Sequence, residues 1–139
     1  MTDTERTILL TAYRMALADG KLSANEALLL HLFAKGLGVT TPELFSLKKQ
    51  AAAIDWEELP GLFTDRGEQL ALFETICLVA LADGRTAPEE QRLVLRLAEL
   101  FAIDAVESRD HLNAAQQRLE KLGESYDLSA EIEANRKTE

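Results

Sequence analysis

The sequence predicts an all-α protein, a bundle of six to seven helices built from two pseudo-symmetric three-helix repeats. Three observations carry this expectation. Ala, Leu, Glu and Lys are plentiful, whereas aromatic residues make up 6% of the chain with only 7 Gly and 3 Pro, so intrinsic propensity favours helix over strand almost throughout. Apolar residues recur at three- and four-residue spacing in successive segments. Finally, the stretch ALADGKLSANE (16–26) returns as ALADGRTAPEE (80–90), so the same turn is written twice.

At 139 residues, with 47% apolar and 28% charged residues, the chain suits one globular domain that buries a core without staples. The expected organisation is a single helical domain over 1–123, with repeats at about 5–53 and 66–122 joined by a linker at 54–65. Residues 124–139 follow as a polar tail or short docked helix.

In the first helix Leu9, Tyr13, Ala16 and Leu17, with Ile8 and Ala12 alongside, make one apolar face flanked by Arg6 and Arg14. The second, EALLLHLFAKGLG, sets Leu29, Phe33 and Leu37 on one stripe and ends near Gly36 or Gly38. The third opens at TTPEL, where Thr40 and Glu43 have capping-box spacing and Pro42 sits in the first turn, where its missing N–H does no harm. Leu44, Leu47 and Ala51 form its face.

Pro60 and Gly61 break the pattern in the linker, with Trp56, Leu59 and Leu62 expected to dock on the core around one helical turn. Asp65, with Glu68 three residues on, caps a fourth helix that is apolar almost all round from Leu70 to Ala82, and therefore central. Those 13 residues fall short of the roughly 20 needed to cross a bilayer. The fifth helix faces Leu93, Val94, Leu97, Ala98 and Phe101 inward and Arg92, Arg96 and Glu99 outward. The sixth runs from its cap at Asp104, with Glu107 three residues on, through Leu112, Ala115, Leu119 and Leu122 to Gly123.

The repeat extends beyond the quoted turn. The offset of 64 from Asp19 to Asp83 also pairs Leu29 with Leu93, Ala34 with Ala98, Val39 with Ile103 and Glu43 with Glu107. Two copies of one three-helix unit are expected to pack face to face around the first and fourth helices.

Two readings of the turn stay open. In the structural one, Gly20 and Gly84 close a helix in left-handed backbone, Leu22 covers the last turn, Ser23 and Glu26 form a capping box, and Pro88 opens the next helix. In the ligand-binding one, Asp-Gly followed by a Glu six places after the Gly matches the second half of an EF-hand loop. The first half fails, because the first and third ligand positions fall on Met15 and Leu17 in one copy and on Val79 and Leu81 in the other. Asp19 with Glu26, and Asp83 with Glu89 or Glu90, nevertheless place hard oxygen ligands around each turn.

The doubled ADG turn followed by Glu, together with LFAKGLGVTTPEL (32–44) and LAELFAIDAVE (97–107), resembles the tellurite-resistance TerB-like family. The motif also appears in the N-terminal region of DjlA-type membrane co-chaperones, and the likeness covers about residues 5–120. It implies a helical bundle in the bacterial cytoplasm with a role in tellurite resistance or stress response. It also implies protein partners at the inner face of the membrane and an acidic divalent-cation site. Carried over by residue, that site is Asp19, Glu26, Asp83 and Glu90, with calcium, magnesium or zinc as the candidate cation. Ala87 stands where the first copy has Ser23, so the two sites are not expected to be equal.

A net charge of −9 argues against a phosphate-backbone partner, whose binding rests largely on Lys and Arg. The N-terminus MTDTERTILL lacks the basic start and longer apolar run of a secretory signal, which predicts the cytoplasm. The lone Cys77 cannot form an internal disulfide and reads as an apolar filler; His31 reads as solvated, and His111 likewise. No catalytic triad, phosphate loop or histidine pair can be assembled, so no enzymatic activity and no other cofactor are expected.

Overall fold

The computed structural model describes the backbone of residues 2–18, 20–82 and 87–126, and side chains as far as Lys121. Among the described residues seven α-helices follow one another: α1 (Asp3–Ala16), α2 (Ala24–Gly36), α3 (Thr41–Ala51), α4 (Leu59–Leu62), α5 (Arg66–Leu81), α6 (Pro88–Leu100) and α7 (Ala105–Tyr126). A 3-10 turn at Trp56–Glu58 precedes α4, and no strand occurs among the described residues.

Local chemistry starts most of these helices. Ser23 with Glu26 and Thr40 with Glu43 form reciprocal capping boxes, each satisfying two backbone N–H groups that a helix leaves orphaned. A third box, Thr2 with Glu5, opens α1 and was not among the expected caps. Asp65 accepts from the Glu68 N–H at 3.0 Å and Asp104 from the Glu107 N–H at 2.8 Å.

The endings of α2 and α6 share one design. The Val39 N–H reaches back to the Ala34 carbonyl at 2.9 Å, and the Ile103 N–H to that of Ala98 at 2.8 Å. Each requires left-handed backbone at the residue before, met by Gly38 (φ 75°) in one case and by Ala102 (φ 51°) in the other.

α5 is the central helix, burying Leu72, Phe73, Ile76, Cys77, Leu78, Val79 and Ala80. It packs against α1, α2, α6 and α7, while α1 packs against α2, α3, α5 and α6, so these two helices form the spine of the bundle. α5 and α7 run parallel. Arg66 meets Glu107 at 3.4 Å near their starts, and Glu74 meets Arg118 at 3.3 Å farther along both.

The linker is tied mainly to α6. The Trp56 indole N–H donates to the Leu93 carbonyl at 2.9 Å, and Arg96 pairs with Glu57. Leu59 docks as expected but Leu62 does not: it is 58% exposed, and Phe63 fills the core in its place. The one-turn helix stops at Leu62, and Phe63, in extended backbone with its N–H on the Leu59 carbonyl at 3.0 Å, is the residue that turns into the core. At the other end, α7 continues to Tyr126 through Gly123, the expected stop. A glycine inside a helix costs only about 1 kcal/mol, which does not force an ending.

Candidate functional site

The first acidic turn grows out of the end of α1. The Gly20 N–H donates to the Leu17 carbonyl at 3.0 Å, and Gly20 itself takes the left-handed conformation (φ 81°) the sequence assigned to it. The chain then enters α2 through Ser23. The Glu26 N–H donates to Ser23 Oγ and the Ser23 N–H to Glu26 Oε1, both at 3.1 Å.

In the second turn the Ala82 N–H donates to the Val79 carbonyl at 3.3 Å, and α6 opens at Pro88 behind Ala87. Ala87 has the extended backbone of a cap residue but no side-chain oxygen to offer, so this helix start carries no side-chain cap. The two turns differ here as Ser23 and Ala87 led one to expect. Asp19, Asp83 and Gly84 lie outside the described residues.

Glu26 and Glu90 are described, and their surroundings are not those of surface carboxylates. Glu26 is 2% exposed and Glu90 4%, each at the third position of its helix. Removing a carboxylate from water is costly unless polar partners or a cation replace the lost hydration. The helix N-terminus supplies part of that replacement through its dipole, and the Ser23 N–H supplies a direct hydrogen bond to Glu26.

This burial was not foreseen, yet the sequence carries a signal for it. Glu26 precedes Leu29 and Leu30 by three and four residues, and Glu90 precedes Val94 and Leu97 by four and seven, which puts both carboxylates on the inward stripe. Glu89, the other candidate beside Glu90, is exposed.

Chemically, Glu26 and Glu90 offer hard oxygen donors suited to a divalent cation. Among the described residues, no three His, Cys, Asp or Glu side chains converge on one point. A cation held by either glutamate therefore needs ligands beyond the His, Cys, Asp and Glu side chains described.

The remaining candidates behave as packing or surface groups. His31 is exposed, and His111 sets its ring edge-on to Phe73 with centroids 5.8 Å apart. Cys77 is buried, and burial, aided by the nearby Glu74 charge, pushes its thiol up to about 12. That makes a thiol inert at neutral pH.

Against this arrangement, the family model for Tellurite resistance protein TerB matches residues 43–113, just over half of the chain. The chain belongs to the TerB family. The TerB match takes in most of α3, the docked linker, α5, α6 and the start of α7, and hence the second turn with Glu90; it begins after the first turn. A search of curated proteins and a search of solved structures returned no significant match. No helix among the described residues is long and apolar enough to cross a membrane.

Proposed function

We propose that this TerB-family chain is a non-enzymatic helical module that binds other proteins, and that its two acidic turns hold a divalent cation which tunes that binding. Tellurite resistance or a related stress response in the bacterial cytoplasm is the setting this reading adopts, with the partner at the inner membrane surface. The observation that carries it is the matched burial of Glu26 and Glu90. Two carboxylates 64 residues apart are both withdrawn from water at the third position of a helix, each six residues after the Gly of an Asp-Gly pair.

The proposal includes a construction from two pseudo-symmetric three-helix repeats. In its support, α2 and α6 have the same length of 13 residues and begin 64 residues apart, α3 and α7 begin 64 apart, and α2 and α6 close with the same backbone hydrogen bonds. The helix order, three helices on each side of the linker, agrees with it.

The rival reading is structural, and the Ser23–Glu26 capping box favours it in the first turn, where Glu26 already has a local role. A titration separates the two. Calcium, magnesium and zinc are added in turn to chelator-treated protein while the melting temperature and the fluorescence of Trp56 are followed. Trp56 reports on α6 because its indole is bonded to Leu93. The cation reading expects a rise in melting temperature that the Asp19→Asn/Asp83→Asn variant loses. The absence of any metal-dependent difference between these proteins at millimolar metal leaves only the structural role.

A further inference from the structure

α6 and α7 are joined through the left-handed step at Ala102, and both pack on α5 but only slightly on each other, which leaves a groove of about 430 Å³ between them. Ala98 and Ile103, both buried, and the half-buried Leu112 make its floor apolar, and the small Ala105 and Ser108 keep the α7 side shallow. Leu95, on the α6 side, is 65% exposed. Glu99 on α6 and Arg109 on α7, both exposed, put one charge of each sign at the rim. An apolar side chain in water beside an apolar recess is a surface that gains by being covered.

We propose that this face binds a second copy of itself, in a two-fold dimer in which Leu95 of each chain enters the α6–α7 groove of the other. In a two-fold contact, if one residue meets another across the interface, the reverse contact is made as well. Setting α6 of each copy over α7 of the other brings Glu99 to Arg109 of the partner subunit and Arg109 to Glu99 of the partner subunit. The face thus carries a projecting leucine, the recess to receive one and both halves of the ion pair, so a copy of the chain matches it in shape and charge without a second species.

The neighbouring ion pairs permit this exchange. Glu99 meets Arg96 at 3.0 Å, but Arg96 also donates from Nε to Glu57 at 2.7 Å, so Glu99 can turn to the partner subunit and leave Arg96 paired. Burial of Leu95 supplies most of the attraction, and the exposed charge pairs fix the register more than they add affinity. The groove involves far fewer residues than the roughly 20–30 a side of a standard interface, which makes the dimer a weak one.

Sedimentation equilibrium of the full chain tests it. Between about 10 µM and about 1 mM, the average mass is expected to rise from the 15.4 kDa of one chain toward twice that value. Glu99→Arg sets like charges at both crossing points of its own dimer, and Arg109→Glu does the same with the opposite sign. Each is expected to weaken self-association about tenfold. Mixing the two variants makes both crossings attractive again and is expected to restore association to the level of the unaltered chain. Leu95→Asp is expected to be monomeric alone and in every mixture. All three positions are exposed, so each variant should keep the circular dichroism and melting temperature of the parent. An unaltered chain that stays monomeric throughout overturns the proposal, as does a dimer indifferent to Leu95→Asp, whose interface must lie elsewhere. Single variants that dissociate but fail to recover on mixing overturn the reciprocal pairing of Glu99 and Arg109.

Discussion

Gly38 and Ala102 hold the same left-handed backbone step, at φ 75° and 51°, each immediately before the residue whose N–H closes the end of its helix. One position uses the residue suited to that step and the other uses a residue that strains in it. A Cβ costs roughly 1–2 kcal/mol in this region, offset in part by the greater freedom glycine loses on folding. Ala102→Gly is therefore expected to stabilise the protein by about 1 kcal/mol, raising the melting temperature by about 3–5 °C. Gly38→Ala moves the other way by about 1 kcal/mol, from conformation alone, because its Cβ would touch nothing within 4 Å. Thermal unfolding of both variants checks the pair, and a fall for Ala102→Gly would refute the strain.

The start of α6 invites a similar exchange. Ala87 occupies the cap position without a hydroxyl, whereas Ser23 caps α2 through the Glu26 N–H. Ala87→Ser is expected to gain about 0.5–1 kcal/mol and Ser23→Ala to lose about 1 kcal/mol. Urea denaturation measures both, with an unchanged denaturant slope expected because neither substitution alters the surface exposed on unfolding.

Acid sensitivity has a specific contributor in Glu57. The hydrogen bonds from Arg96 hold its carboxyl below the ordinary 4.5. A carboxylate whose native pKa lies below its unfolded value adds stability that is complete above the unfolded value and is lost as pH falls through the native one. The Glu57 contribution is thus present at pH 6 and is lost progressively as pH falls below 4.5. Glu57→Gln should melt lower than the unaltered protein at pH 6 and approach it at pH 3. Both partners are exposed, so 0.5 M salt should shrink the pH 6 difference; a gap that persists unchanged from pH 6 to pH 3 contradicts this assignment.

Cys77 provides a reporter of global opening. Its thiol is buried in α5 and pushed up to about 12 by that burial, so the native protein should not react with a thiol reagent at pH 8, and one equivalent should react after denaturation. Rapid labelling of the native state would mean that α5 is more accessible than its packing shows.

Much of the fold was legible because it is local. The boxes at Ser23 and Thr40 and the caps at Asp65 and Asp104 each join a side chain to a backbone group three residues away. Such pairs are visible in any sequence window, and the Thr2–Glu5 box has the same spacing. The inward stripe of α6 and the apolar circumference of α5 were read from periodicity for the same reason. The linker was harder, since whether Leu62 or Phe63 turns inward depends on where a one-turn helix stops, and that is settled by the core it meets.

The amino-acid order by itself determined the helices and their caps, because each depends on residues within about one or two turns of one another, and it showed the duplicated turn and the family likeness, which are patterns of the sequence alone. Only the tertiary structure decided that the Trp56 indole reaches Leu93, that α1 and α5 share the centre, and that Glu26 and Glu90 are withdrawn from water. Burial is a property of what packs on top of a residue. For a glutamate at the third position of a helix, local rules require only a hydrogen bond to the cap, and they are satisfied equally well in solvent or beneath a neighbouring helix.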